Sequence, residues 1–217
     1  MAGSRAPADE GASAYVSRGG VKLEAALDAF AIPIVGRRAL DAGASTGGFT
    51  DCLIRRGASR VIAVDVAYGQ LAWTLRNDDR VRVLERTNVR TLDLSSIGEP
   101  PVDLVVADLA FISLRAVRDA LLAAARQDAD LVLLVKPQFE SPRERVEKGG
   151  VVRDAGAWRN AVASVAEEYR RAGCGLVAAV PSPLIGPAGN REFFVHLRRG
   201  AGDAPSDVID RAIRGAP

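Results

Sequence analysis

Apolar positions along the chain switch repeatedly between the helical and the extended period. Residues 22–30 place Leu23, Ala26, Leu27 and Phe30 on one face, which predicts a helix that Pro33 and Gly36 then break. Residues 39–42 form a short apolar strand running into a glycine-rich turn, and 49–56 read as a helix closed by Gly57. The pattern continues with a β-rich strand at 60–66, a helix at 70–76, and strands at 81–84 and 102–107. A helix at 114–125 precedes 131–135, the most continuously apolar run, which is expected near the centre of a sheet. A long helix at 157–171 ends at Gly173, and 176–180 and 192–197 are the last strands. Strands apolar on both faces that alternate with helices indicate an α/β fold: a mostly parallel sheet with helices on both faces. Such sheets bind ligands beyond the carboxyl ends of their strands. Residues that directly follow a strand are therefore the first candidates for chemistry.

Composition narrows this picture. The 217 residues suit one domain, expected at 14–200, with a small, polar, disordered tail at 1–13 and a C-terminal tail at 201–217 in which 206–213 could coil into a short helix. A content of 48% hydrophobic and 26% charged residues is that of a soluble globular chain. No signal-type segment or run of 18 apolar residues is present, so a cytoplasmic protein without membrane contact is expected. Cys52 and Cys174 lie far apart without metal-ligand spacing and read as buried apolar residues; no metal is expected. The single histidine, His196, falls in an apolar strand pattern, which removes serine–histidine hydrolysis from consideration. A net charge of +2 does not by itself argue for nucleic acid. The loop from Glu140 to Arg153, with Arg143, Arg145 and Lys148, is the most suggestive basic stretch.

The turn after the first strand reads Asp41-Ala-Gly43-Ala44-Ser45-Thr46-Gly47-Gly48-Phe49. Glycines there permit a sharp turn and close approach of a ligand, and the helix that follows offers free N–H groups to an anion. The G-x-x-x-G-G spacing departs from the dinucleotide fingerprint but still suits a nucleotide-type cofactor. Asp65 ends the next strand, 22 residues after Gly43, where a carboxylate can accept hydrogen bonds from both ribose hydroxyls of an adenosyl group. Asn88, after the third strand, is a candidate adenine contact or a simple turn residue.

Two further strand ends carry charge: Asp108 in ADLAF and Lys136 in VKPQFE. Lys22 opens the first helix, and Glu192 starts the last strand. The segments YVSRGGVKLEAAL, LDAGASTGGFTD, VVADLAFISL, LVKPQFE, GGVVRD and GPAGNREFF together resemble the haemolysin A/TlyA-like family of rRNA 2′-O-methyltransferases, whose wider relatives are the FtsJ-like RNA ribose methyltransferases. The resemblance covers about residues 15–199. It implies a Rossmann-like class I methyltransferase fold with seven strands in the order 3-2-1-4-5-7-6, the seventh antiparallel. It implies S-adenosylmethionine as cofactor, held by Asp41, residues 43–49, Asp65, Asn88 and Asp108. It implies a Lys-Asp-Lys-Glu tetrad at Lys22, Asp108, Lys136 and Glu192, and methylation of a cytidine 2′-hydroxyl in ribosomal RNA. Members of the family usually carry an N-terminal S4 RNA-binding domain. This chain has only a short stretch there, which leaves room for a separate RNA-binding partner. Ala110 stands where DLSFIS would carry a serine.

The residues suit that chemistry. A 2′-hydroxyl is a poor nucleophile and must lose its proton as the methyl group arrives. Lys136 could take the proton as a neutral amine. Neighbouring anions, Asp108 and Glu192, would oppose that state, whereas Lys22 and a bound sulfonium would favour it. In this reading Asp108 orients the amine, Lys22 and Glu192 position the ribose, and Arg18, Arg143, Arg145 and Lys148 contact phosphates of ribosomal RNA or of whole ribosomal subunits. Two alternatives stay open on sequence alone: a methyltransferase for a small molecule, and a non-catalytic protein that binds S-adenosylmethionine.

Overall fold

The computed structural model describes residues 15–216, so the tail expected at 1–13 lies outside the described residues. Strands β1 (Arg38–Ala42), β2 (Arg60–Val64), β3 (Val81–Leu84), β4 (Val102–Ala107), β5 (Ala125–Val135), β6 (Cys174–Pro181) and β7 (Phe193–Arg199) form one sheet in the order β3-β2-β1-β4-β5-β7-β6. The first five run parallel, while β7 lies antiparallel to both β5 and β6. The order in which strands are added switches sides between β1 and β4, because the chain builds β2 and β3 on one side of β1 and then returns to its other side. That crossing point is where a ligand crevice opens.

Each face of the sheet is covered by its own apolar layer. On one face Leu40, Ile62, Val105 and Leu133 meet Leu121, Val165 and Tyr169. On the other, Ala39, Val61, Val106 and Val132 meet Leu23, Leu27 and Leu53. Helix α6 (Ala155–Arg171) shows why the pattern reads so clearly. Ala157, Ala161, Val165 and Tyr169 recur every fourth residue and are all buried, and the Asp154 side chain caps the first turn by accepting from Gly156 N at 2.7 Å.

Local departures from the expected elements have physical causes. Helix α1 (Arg18–Ala29) begins four residues earlier than residue 22. Its first turn contains Gly19 and Gly20, and these lie against the first residue of α2 (Gly48–Arg55): a Cβ on Gly48 would sit 2.9 Å from Gly20 N. Two helix N-termini thus approach more closely than side chains would allow. The helix expected at 70–76 is confined to α3 (Trp73–Arg76), and 114–125 divides into a 3-10 turn (Leu114–Val117) and α4 (Arg118–Ala124). Strand β5 extends back to Ala125, with an irregularity opposite β4 between Val102 and Leu104. A short helix, α5 (Pro137–Glu140), follows Lys136. The stretch expected as a C-terminal tail holds α7 (Val208–Arg214), which buries Ala212 against the layer that also contains Leu176 and Val165. Cys52 and Cys174 are buried and unpaired, and His196 is buried with Nε2 2.8 Å from Asp130 Oδ1.

Candidate active site

Strand β1 delivers the chain to Gly43, whose φ of 87° belongs to the left-handed region. A Cβ there would lie 2.5 Å from the carbonyl oxygen of Asp108, so only glycine lets the β1 turn nest against the end of β4. Two cavities of ≈ 490 Å³ open from this point and share Gly43, Ser45 and Asp108. The first reaches across Ala44, Thr46, Gly48 and Phe49 toward Arg18 and Lys22. The second runs along Asp65 and Asn88 to Leu109 and Phe111.

The tetrad expected from sequence is arranged as two ion pairs. Lys136 Nζ lies 2.5 Å from Asp108 Oδ1, with side chains 14% and 23% exposed. The contact lacks hydrogen-bond alignment, because Asp108 Oδ1 has no hydrogen-bond partner. Lys22 Nζ lies 2.5 Å from Glu192 Oε2 and is almost fully enclosed. Antiparallel register brings two of these segments together, since Val135 pairs with Phe193 and Lys136 and Glu192 adjoin that pair. Lys22 and Asp108 line the first cavity and so connect both ion pairs to it.

The residues expected around a cofactor divide by place. Asp65 accepts Ser45 N and Ala67 N, each at 2.8 Å, and lies on the wall of the second cavity. Asn88 lines the same cavity while its Oδ1 caps Arg90 N at 3.0 Å. Gly47 lines neither cavity; it forms the turn into α2, and its Cα faces Leu75 and Leu71. Asp41 is fully buried within β1 rather than at a cavity wall. Its Oδ2 accepts the Thr50 hydroxyl at 2.6 Å, and its Oδ1 has no partner. Burial pushes this carboxyl up to about 7, against the hydrogen bond from Thr50 and with help from the charges of Asp108 and Asp65.

Of the four basic residues expected to contact phosphates, Arg18 lines the first cavity; its Nη2 donates to Ile185 O at 2.6 Å. Arg143, Arg145 and Lys148 are exposed on the loop between α5 and α6, and Arg145 pairs with Asp154 at 3.3 Å. That loop is fastened to the turn before Glu192 by Asn190, which accepts Val152 N at 2.9 Å and donates to Gly150 O at 2.8 Å.

Several contributors escaped the sequence reading. Ser17, Gly19 and Pro187 line the first cavity. Phe111 did not escape it: the sequence offers Phe111 and Phe139 as base-stacking candidates and favours the core for both, whereas Phe111 holds φ 64° and is 92% exposed at the edge of the second cavity, its ring centroid 5.4 Å from that of Phe139. Glu140 is buried and gathers the Ser113 hydroxyl and Leu114 N, each at 2.6 Å, and Arg115 Nε at 3.1 Å. Burial raises its carboxyl above the usual range despite these donors. Its place four residues after Lys136 was the one available signal.

Sheet order, antiparallel β7 and a crevice at the β1/β4 switch define a Rossmann-like class I methyltransferase fold. The family model for FtsJ-like methyltransferases matches residues 15–199, and the chain belongs to that family. It is 54% identical over 209 residues to the 16S/23S rRNA (cytidine-2′-O)-methyltransferase TlyA of Mycobacterium tuberculosis, a match covering 94% of this chain and 78% of that protein. Hemolysin A of Brachyspira hyodysenteriae is 38% identical, over 84% of this chain and 76% of its own. A solved structure from Streptococcus thermophilus that carries a hemolysin name superposes with a TM-score of 0.89 at 36% identity, covering 95% of this chain and 77% of that one. No helix among the described residues is long and apolar enough to cross a membrane.

Proposed function

We propose that the chain transfers a methyl group from S-adenosylmethionine to a ribose 2′-hydroxyl of ribosomal RNA, with cytidine as the target nucleotide. One observation carries the reading: the Lys136–Asp108 ion pair reaches, through Asp108, the point where the two cavities meet, so a donor spanning both and a ribose entering the first would react beside that pair. Relatedness to TlyA supports ribosomal RNA as the substrate.

The residues present fit the cofactor. The Gly43 turn lines both cavities, Asp65 offers a carboxylate to ribose hydroxyls, and the N-terminus of α2 faces the first cavity through Gly48. Asp65 and Asn88 would hold the adenosyl portion; residues 43–49, with Asp41 beneath them, would hold the amino-acid portion. Bound there, S-adenosylmethionine supplies an electrophilic methyl group on a sulfonium whose positive charge disfavours a neighbouring ammonium.

Lys136 Nζ would then take the proton of the attacking 2′-hydroxyl, and the charge of Asp108 keeps the amine at the junction of the cavities. Lys22 and Glu192 hold each other rigid at the wall of the first cavity and position the ribose. Arg18 anchors a phosphate at the cavity mouth, while Arg143, Arg145 and Lys148 attract the backbone from the neighbouring loop. The test is transfer of labelled methyl to ribosomes, isolated subunits and naked ribosomal RNA. Wild type should label at least one of them, with alkali-resistant label at a single cytidine. Lys136→Ala should bind the cofactor normally and transfer nothing; transfer near the wild-type rate would remove Lys136 from the role of base.

A further inference from the structure

Most described arginines are bound to carboxylates, as Arg38 and Arg60 are to Glu99 and Arg115 is to Glu140. Arg82, Arg86 and Arg90 are different. They recur every fourth residue from β3 onward, all three are exposed, and none forms an ion pair among the described residues. Beside them lies an apolar surface that folding has left uncovered. Val66 is 67% exposed and Tyr68 68%. The two sets are joined. The Arg86 guanidinium sits over the Tyr68 ring, 4.3 Å from its centroid, and Arg86 N donates to Ala67 O at 3.2 Å.

The strip begins at the active site. Val66 lines the second cavity with Asp65 and Asn88, and Arg90 N donates to Asn88 Oδ1. The carboxylates nearest the strip are turned to other partners. Glu85 accepts from Arg76 and from Gly69 N, and Asp65 accepts from Ser45 N and Ala67 N. An anion approaching the three arginines therefore meets little opposing charge. Protection of the sheet edge explains Arg82, because β3 is the outermost strand. It does not explain Arg86, Arg90 or Tyr68, which lie outside the strands. An exposed aromatic ring beside unpaired arginines suits a single-stranded nucleic acid: the ring stacks on an unpaired base and guanidinium groups take phosphates.

We propose that Arg82, Arg86 and Arg90, with Tyr68, form a docking surface for an RNA segment flanking the target nucleotide. The inference rests on the reading of ribosomal RNA as substrate. It adds a second contact region on the β3 side, opposite the basic loop between α5 and α6.

The test uses the full chain with Arg82→Gln, Arg86→Gln and Arg90→Gln combined, and Tyr68→Ala separately. Binding of a fluorescent ribosomal RNA fragment is followed across a salt series, beside cofactor binding and methyl transfer. Three lost phosphate contacts should flatten the dependence of log K on log salt by about 2, at ~0.7 per contact on a single strand. Affinity should fall at least tenfold for the triple variant and several-fold for Tyr68→Ala. KM for RNA should rise while kcat and cofactor affinity stay at the wild-type values. A triple variant with unchanged affinity and slope, in a preparation whose wild type binds and methylates RNA, overturns this surface and leaves the substrate reading intact. Wild type that binds no RNA at all overturns both. Unchanged binding to naked RNA with weakened binding to whole subunits would assign the surface to a ribosomal protein, and also overturns the proposal.

Discussion

Lys22 and Glu192 are separated by 170 positions in sequence, yet their charged groups meet at 2.5 Å in a place almost without solvent. An enclosed ion pair is poor evidence for added stability, because desolvating both charges cancels most of their attraction. Removing one partner is far more costly, since it strands the other charge. Glu192→Ala should therefore destabilise the protein by about 3–5 kcal/mol, read from urea midpoints. The double change Lys22→Met with Glu192→Leu should regain most of that loss and still transfer no methyl group. A double variant as unstable as Glu192→Ala, or one that retains turnover, contradicts a functional role for the pair.

Glu140 makes a second prediction. Its carboxylate ties α5, which directly follows Lys136, to the loop leading away from Asp108. Glu140→Ala leaves Leu114 N and the Ser113 hydroxyl without an acceptor, a cost of about 1–3 kcal/mol for each buried group. Exchange of the Leu114 amide with solvent should accelerate by at least tenfold, and kcat should drop more than cofactor affinity does. Glu140→Gln keeps one acceptor oxygen and should fall between the two. If Leu114 exchanged at the wild-type rate in the alanine variant, the tie would not hold the loop.

The fold was legible because its signals are local. Strands apolar on both faces, such as 131–135, and a helix with Ala157, Ala161 and Val165 on one stripe announce themselves within a few residues. The turn at Gly43 and the charges at strand ends were equally visible, since strand ends in a parallel sheet point to the same edge. The chemistry asked of the tetrad set Asp108 to orient Lys136 and grouped Lys22 with Glu192; antiparallel β7 and the approach of α1 are what bring the two pairs together. Glu140 and Asn190 were overlooked because only tertiary packing shows that a polar residue outside the strands is enclosed. The early start of α1 was hidden because Gly19 and Gly20 count against a helix until Gly48 is seen to lie against them.

The Gly43 turn yields a third prediction. Gly43→Ala forces a methyl group toward the Asp108 carbonyl in a backbone conformation that side chains rarely adopt. Displacement of Asp108 would spread to Lys136 and to both cavities. Cofactor affinity, measured by calorimetry, should fall by more than tenfold, with a stability loss of about 1–3 kcal/mol. Normal affinity in this variant would mean that the cofactor does not rest on the turn.

Asp41 supplies the last prediction, a dependence on pH. Burial lifts its carboxyl to about 7, so the folded protein retains this proton over a range in which the unfolded chain has released it. The stabilisation is fully present below the unfolded value near 3.8 and is lost as pH rises through about 7. Three pH units at about 1.4 kcal/mol each set the whole effect at about 4 kcal/mol. Asp41→Asn carries no such proton and still leaves a group for the Thr50 hydroxyl to bond. Relative to wild type, the asparagine variant should gain about 2 kcal/mol of stability between pH 5.5 and pH 8, measured as the change in urea unfolding free energy. A difference between the two proteins that stays constant across that interval would show that Asp41 is ionised throughout.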